Sequence, residues 1–253
     1  MPASGGLRTV SAIRYVTPFR EGGSLPGLME ASDDGLYVVK FRGAGQGTRA
    51  LVAEIIAGEL ARALGLPVPE QVIVDVDPAL GLAEPDPEIQ ELITASPGPN
   101  LGIDFLPGAV TYAPGANWSP DPELAADVVW LDAFLTNVDR TPRNPNLLVW
   151  HDQLWLIDHG AALYLQHAGL VPAEHADKPF PQIREHVLLS CAGSIEAADE
   201  RLAPQIDRSL LERIVGLVPD DWRGGEPYVE YLLRRLKSLR RFVAEAENAR
   251  NDA

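Results

Sequence analysis

Apolar and polar positions follow two regimes along the chain, short strand-like runs at first and helical spacing later. Residues 35–42, Gly-Leu-Tyr-Val-Val-Lys-Phe-Arg, join aromatic and β-branched residues after an Asp-Asp-Gly turn signal and predict a strand. Residues 10–16 and 71–76 read the same way, and short strands are expected at 89–94 and 103–106. A helix over 49–64 is expected after a Thr48 cap and before Gly65 and Pro67. From Asp121 a second helix carries Leu124, Val128, Val129, Leu131, Phe134 and Leu135 at helical spacing. Strands at 147–150 and 154–157 are joined by a turn at His151-Asp152-Gln153, and helices are expected near 181–191, 207–217 and 227–247. Pro and acid dominate 77–88 and 107–122, which read as loops.

This order puts a strand-rich half with one main helix before a mostly helical half. Two lobes around a cleft are the natural architecture, an α+β fold with approximate lobes over 1–106 and 107–253 within one domain of 253 residues. No apolar run reaches the ~18 residues of a membrane span, and residues 1–8 do not read as a secretory signal. The single cysteine, Cys191, excludes an internal disulfide and suits a cytoplasmic setting.

Charge adds more. The net of −15 argues against nucleic acid or an anionic membrane as a partner. Residues 63–139 hold 13 acids and no Lys or Arg, and Lys40 is the only lysine among the first 177 residues. In a chain with 18 Arg and three Lys, a lysine in mid-strand hints at a task that needs a compact ammonium.

The sharpest chemical signal is Asn137-Val138-Asp139-Arg140-Thr141-Pro142-Arg143-Asn144-Pro145-Asn146, followed 19 residues after Asp139 by Asp158-His159-Gly160. Phosphoryl transfer needs a carboxylate beside the attacking hydroxyl, oxygen ligands for a metal on the phosphates, and a cation on the nucleotide. An Asp, an Asn five residues on, and an Asp closing the next hairpin has the spacing of a protein-kinase catalytic loop, with His159 where that pattern has Phe. Asn146 is an alternative to Asn144, although spacing favours Asn144. Lys40 in Val38-Val39-Lys40 fits the nucleotide cation. Its helix partner is Glu54 or Glu59. Periodicity favours Glu59, which falls in the stripe of Val52, Ile55, Ile56 and Leu60, while Glu54 falls among Ala50, Ala57, Gly58 and Ala61.

Two glycine-rich stretches flank that strand. Gly22-Gly23-Ser24-Leu25-Pro26-Gly27 stands where a phosphate-covering loop belongs. Gly43-Ala44-Gly45-Gln46-Gly47 imitates a dinucleotide fingerprint but has Thr48 in place of its third glycine. Neither a P-loop nor a G-x-S-x-G motif occurs. His151, His159, His167 and His175 recur every eight residues, which places them on no common helix face and gives no metal site.

With these residues in view the chain resembles the HipA-like kinase family, from Gly22 to about Leu189. The resemblance rests on Gly23-Ser24-Leu25-Pro26-Gly27, Val38-Val39-Lys40-Phe41, Ala53-Glu54, Asn137-Val138-Asp139-Arg140 through Asn146, and Ile157-Asp158-His159-Gly160. It implies a bilobal protein-kinase-like fold and ATP- and Mg²⁺-dependent transfer to a hydroxyl. It makes Glu54 the partner of Lys40, although Ala53 stands where the family usually has Asn. Asp139 would take or orient the hydroxyl proton, Asn144 and Asp158 would hold Mg²⁺, and Gly22, Gly23, Ser24 and Gly27 would cover the phosphates. The adenine would lie on backbone groups of residues 101–106. The acceptor would be a protein Ser/Thr or the chain's own Ser24; a small-molecule kinase, or a nucleotide-binding pseudokinase acting as a partner-binding module, are the alternatives.

Overall fold

Asp33, Asp34 and Gly35 turn the chain as their composition predicts: Asp34 takes φ 62°, the Ala31 amide donates to Gly35 O at 2.9 Å, and Asp33 Oδ1 accepts the Gly35 amide. This hairpin joins β2 (Gly27–Ala31) to β3 (Leu36–Lys40) in a computed structural model that describes residues 6–19, 25–45, 47–116, 118–164, 176–237 and 239–253. With β1 (Thr9–Pro18), β4 (Gln71–Val76) and β5 (Gly98–Asp104) they form a closed barrel in the order β1-β2-β3-β5-β4. Closure comes from a short parallel pairing of residues 9–11 with 73–75, and the other pairings are antiparallel. Alternation sends Tyr37 and Val39 into the barrel with Met29, Val72 and Val74, which leaves Lys40 on the opposite face.

Gly102 of β5 pairs with Val72 of β4 and faces the valine side chains of the barrel core. A Cβ there would lie 2.5 Å from Val74 Cγ2 and 3.0 Å from Val72 Cγ2. Gly102→Ala is expected to destabilise by about 1–3 kcal/mol through overpacking, read from the urea midpoint; an unchanged midpoint would show that the barrel gives way freely.

Helix α1 (Gly47–Ala63) ends as its sequence predicts. Gly65 takes φ 83°, and the Leu66 amide bonds back to Ala61 O at 2.9 Å. It is buried nearly all round, between the barrel and the helical half. Residues 89–94 are not a strand. They belong to α2 (Pro87–Thr94), capped by Asp86 with Pro87 in the first turn, and Ile89 and Ile93, four apart, close the barrel core. Residues 103–106 are likewise no separate strand, since β5 takes 98–104. Within the two segments expected to be loops, residues 78–83 form a 3₁₀ turn and β6 is Val110–Thr111.

The helical half is built on α3 (Pro122–Leu135), capped by Asp121 and buried on all sides. The strands β7 (Leu147–Trp150) and β8 (Gln153–Leu156) form a hairpin whose two central residues, His151 and Asp152, both have positive φ. Four further elements follow in chain order, α4 (Ile195–Leu202), α5 (Arg208–Val215), the short α6 (Asp220–Arg223) and α7 (Tyr228–Lys237), before α8 (Arg241–Asn251). The helix expected over 227–247 is thus two, with Arg240 between them at φ 44°. The helix expected over 181–191 is two 3₁₀ turns, Pro181–Glu185 and Leu189–Cys191. Between them the backbone leaves helical geometry to bond elsewhere: the Val187 amide reaches Arg140 O, and the Leu188 amide reaches His186 Nδ1, both at 3.1 Å. Arg235 of α7, 1% exposed, donates to Phe134 O and Ala133 O at 2.8 Å each and so satisfies the carbonyls at the end of α3. No helix among the described residues is long and apolar enough to cross a membrane.

Candidate active site

Lys40 ends β3 and points from the barrel toward α1. Its Nζ donates to Glu54 Oε2 and to Asp158 Oδ1, both at 2.7 Å. Burial disfavours the ammonium, but the two carboxylates outweigh it and hold the Lys40 pKa above its ordinary value. Glu54 is buried, which pushes its carboxyl up against the opposing pull of Lys40, and its Oε1 has no hydrogen-bond partner among the described residues. Glu59, the choice of periodicity, instead lies 3.6 Å from Arg62 on its own helix. Because α1 is covered on both sides, its strongest apolar stripe does not mark the face toward Lys40. The small residues beside Glu54 do, for Gly160 packs against Ala50 and Glu54 there.

Asp158 follows the β7–β8 hairpin and sits in the left-handed region at φ 52°. Lys40 holds its carboxyl below the usual range, against the effect of burial. Asp139 lies in the loop after α3. Its amide donates to Asn137 Oδ1 at 3.2 Å, and its Oδ2 accepts from Asn144 Nδ2 at 2.8 Å and from Asn146 Nδ2 at 3.4 Å. Burial raises its pKa, the amides of Asn146 and Asn144 oppose that, and the charge of Asp158 adds to it. Both candidate asparagines therefore touch Asp139. Asn144 is exposed, whereas Asn146 is buried, at φ 50°, and also donates to Asp139 O at 3.2 Å.

The glycine positions are less informative. Gly22, Gly23 and Ser24 lie outside the described residues. Gly27 begins β2, wedged so closely that a Cβ would lie 2.5 Å from Tyr15 Cε2. The second glycine stretch comes nearer the chemistry: Gly47 joins Lys40, Phe41, Ala50, Leu51 and Gly160 around a small cleft. The expectation for residues 101–106 is narrowed, because residues 101–103 pair on both edges, with β3 and with β4. The Asp104 and Phe105 amides are also taken, by Glu70 O and Leu36 O.

A family model described as HipA-like kinase matches residues 12–249. The chain belongs to the HipA-like kinase family. Among solved structures, the proinflammatory kinase CtkA of Helicobacter pylori aligns at TM-score 0.59 and 16% identity, over 97% of this chain and 98% of that one. A Golgi casein kinase with Mn/ADP bound aligns at TM-score 0.51 and 13% identity, over 97% and 74%. No curated protein matches significantly. This HipA-like kinase thus has the bilobal protein-kinase-like fold, with a strand-rich first half and a helical second half.

Beneath its loop the HipA-like kinase carries a buried hub that sequence reading missed. Asp132, on the last turn of α3, accepts from Asn137 Nδ2 at 2.9 Å, Arg140 Nε at 2.6 Å and His186 Nε2 at 2.9 Å. Despite burial, Arg140 first and then His186 hold the Asp132 carboxyl far below the usual range. Arg140, itself 1% exposed, also donates to Asn146 O, to Ile157 O at 3.2 Å and to His159 Nδ1 at 3.2 Å. Arginine only donates, so His159 Nδ1 must accept and its proton sits on Nε2. Burial and the Arg140 charge lower the His159 pKa to about 3. One guanidinium therefore links the loop of Asp139 to both neighbours of Asp158.

Proposed function

We propose that this chain is an ATP- and Mg²⁺-dependent phosphotransferase that moves the γ-phosphate to a hydroxyl, of a protein Ser/Thr or of its own Ser24, in the cytoplasm. The observation that carries this reading is Lys40 Nζ held at 2.7 Å from both Glu54 and Asp158, with Asp139 in the adjoining loop. Lys40 meets the phosphates and Glu54 fixes its direction. Asp139, ionised, orients the attacking hydroxyl and takes its proton as the new P–O bond forms and the bond to ADP breaks.

The residues present fit the metal. The Asn144 amide nitrogen is committed to Asp139, which turns its carbonyl oxygen away, with no partner among the described residues. Asp158 uses Oδ1 on Lys40, and its side chain is 45% exposed. Asp158 and Asn144 offer hard oxygen ligands of the kind Mg²⁺ takes. When bound, magnesium–ATP supplies the phosphoryl group and neutralises charge on its oxygens.

The test is ATP consumption with Mg²⁺ by the protein and by Asp158→Ala. The variant is expected to lose activity by at least 100-fold, the order removed with an electrostatic stabiliser. A parent protein that binds no ATP, or an Asp158→Ala protein as active as the parent, overturns the reading. Phosphopeptide mapping of the active protein checks Ser24.

A further inference from the structure

Glu54 meets Lys40 only while α1 keeps its rotation against the barrel, and one polar side chain bridges the two. Gln71, the first residue of β4, is 2% exposed, and its backbone is fixed in the barrel opposite Ile103 of β5. Its Nε2 donates to the backbone carbonyl of Glu54 at 2.9 Å. Within a helix that carbonyl serves the amide four residues on, here Gly58, whose side chain would stand on the same face. Gly58 has none, and a Cβ there would lie 2.4 Å from Gln71 Nε2. A glycine in mid-helix is unfavourable for the helix itself, so its place is explained by the amide it admits. Gln71 Oε1 has no hydrogen-bond partner among the described residues. The amide is therefore oriented by this bond, since its flipped form would set two oxygens against each other.

We propose that Gln71, through the opening left by Gly58, is a positioning residue that holds α1 at the rotation in which Glu54 meets Lys40. The apolar contacts around α1 are non-directional and tolerate a small rotation, whereas a buried hydrogen bond is sensitive to distance and angle. Its relevance to turnover rests on the kinase reading. The contact it secures exists without nucleotide and is testable without it.

Lys40 is the only lysine among the first 177 residues, so its acylation by an amine reagent is read by mass spectrometry of one peptide. Gln71→Met keeps length and loses the donor; Lys40 acylation is expected to rise roughly five- to ten-fold as one of two carboxylate partners withdraws. Gly58→Ala installs the better helix former and displaces the Gln71 amide. It is expected to give the same rise at Lys40 with no rise at Lys178 or Lys237, the other lysines of the chain, a selectivity that loss of fold does not explain. In a Glu54→Ala background, Gln71→Met is expected to add nothing, because α1 then carries no carboxylate partner of Lys40 to be misplaced and Asp158 lies outside α1. Unchanged acylation in both single variants, or an undiminished Gln71→Met effect on Glu54→Ala, overturns the proposal. Should the acylation pattern hold in a protein that turns over no ATP, the positioning role stands and the kinase reading falls.

Discussion

Phosphotransfer by Asp139→Ala is expected to fall by about 10²–10⁴-fold, the contribution of a positioned general base, equivalent to about 2.7–5.4 kcal/mol of transition-state stabilisation. ATP affinity measured without Mg²⁺ should stay within about two-fold, because no bond joins Asp139 to the Lys40 cluster among the described residues. The loss is not one of folding: the Asn144 amide it frees is exposed and returns to water, and the buried Asn146 amide keeps its bond to the Asp139 backbone carbonyl. Asp139→Asn sharpens the test. An asparagine can still accept from Asn144 through its carbonyl oxygen, but it takes no proton. A loss as deep as that of Asp139→Ala assigns proton acceptance to the carboxylate, while activity near the parent level assigns orientation alone. The pH profile carries the same information. A base acts ionised, and burial holds the Asp139 pKa above the ordinary carboxylate value. Rate should therefore rise with pH through an acid limb displaced upward from about 4. Asp139→Asn should abolish that limb.

How much of this site was legible follows from how local each contact is. The aromatic and β-branched run after Asp-Asp-Gly marked β3 with Lys40 in it, and spacing alone paired Asp139 with Asn144. Glu54 was harder, because the rule that the apolar stripe faces the core assumes one buried face and α1 has two. Ile89 and Ile93 fit either period over so short a run, and the Asp86–Pro87 start signal lay just before it, in residues that composition marked as loop. The hub was illegible for a different reason. Asp132 reads as one polar position in an apolar helix, and its partner His186 lies 54 residues away. Only the fold brings them together.

Asp132→Ala is expected to cost about 3–5 kcal/mol of stability, the penalty for leaving a buried charge without its partner. The orphan is Arg140, whose guanidinium is shut from water and would keep only carbonyl oxygens and an imidazole. The urea midpoint measures this, and a loss below about 1 kcal/mol, the level of a single neutral hydrogen bond, would mean the hub relaxes around the gap. Acid should act on the same cluster. His186 donates from Nε2 to Asp132 and accepts the Leu188 amide at Nδ1, so it is neutral, and burial lowers its pKa despite Asp132. His159 is neutral for the reason given by Arg140. Below pH 6.5 the unfolded chain protonates these imidazoles and the folded one resists, so the unfolded state binds more protons and stability falls as pH falls. With its pKa at about 3, His159 alone should remove about 3 kcal/mol between pH 7 and pH 4. Asp132, held low, extends the loss below the ordinary carboxylate range; Glu54, raised by burial, opposes it. Comparing the parent with His159→Phe isolates one group from this sum. The variant keeps a ring at the site and cannot titrate, so its stability should decline less toward pH 4 by about 3 kcal/mol. Parallel pH curves for the two proteins would show that His159 takes up its proton in the fold as readily as in the unfolded chain, and that Arg140 does not exclude it.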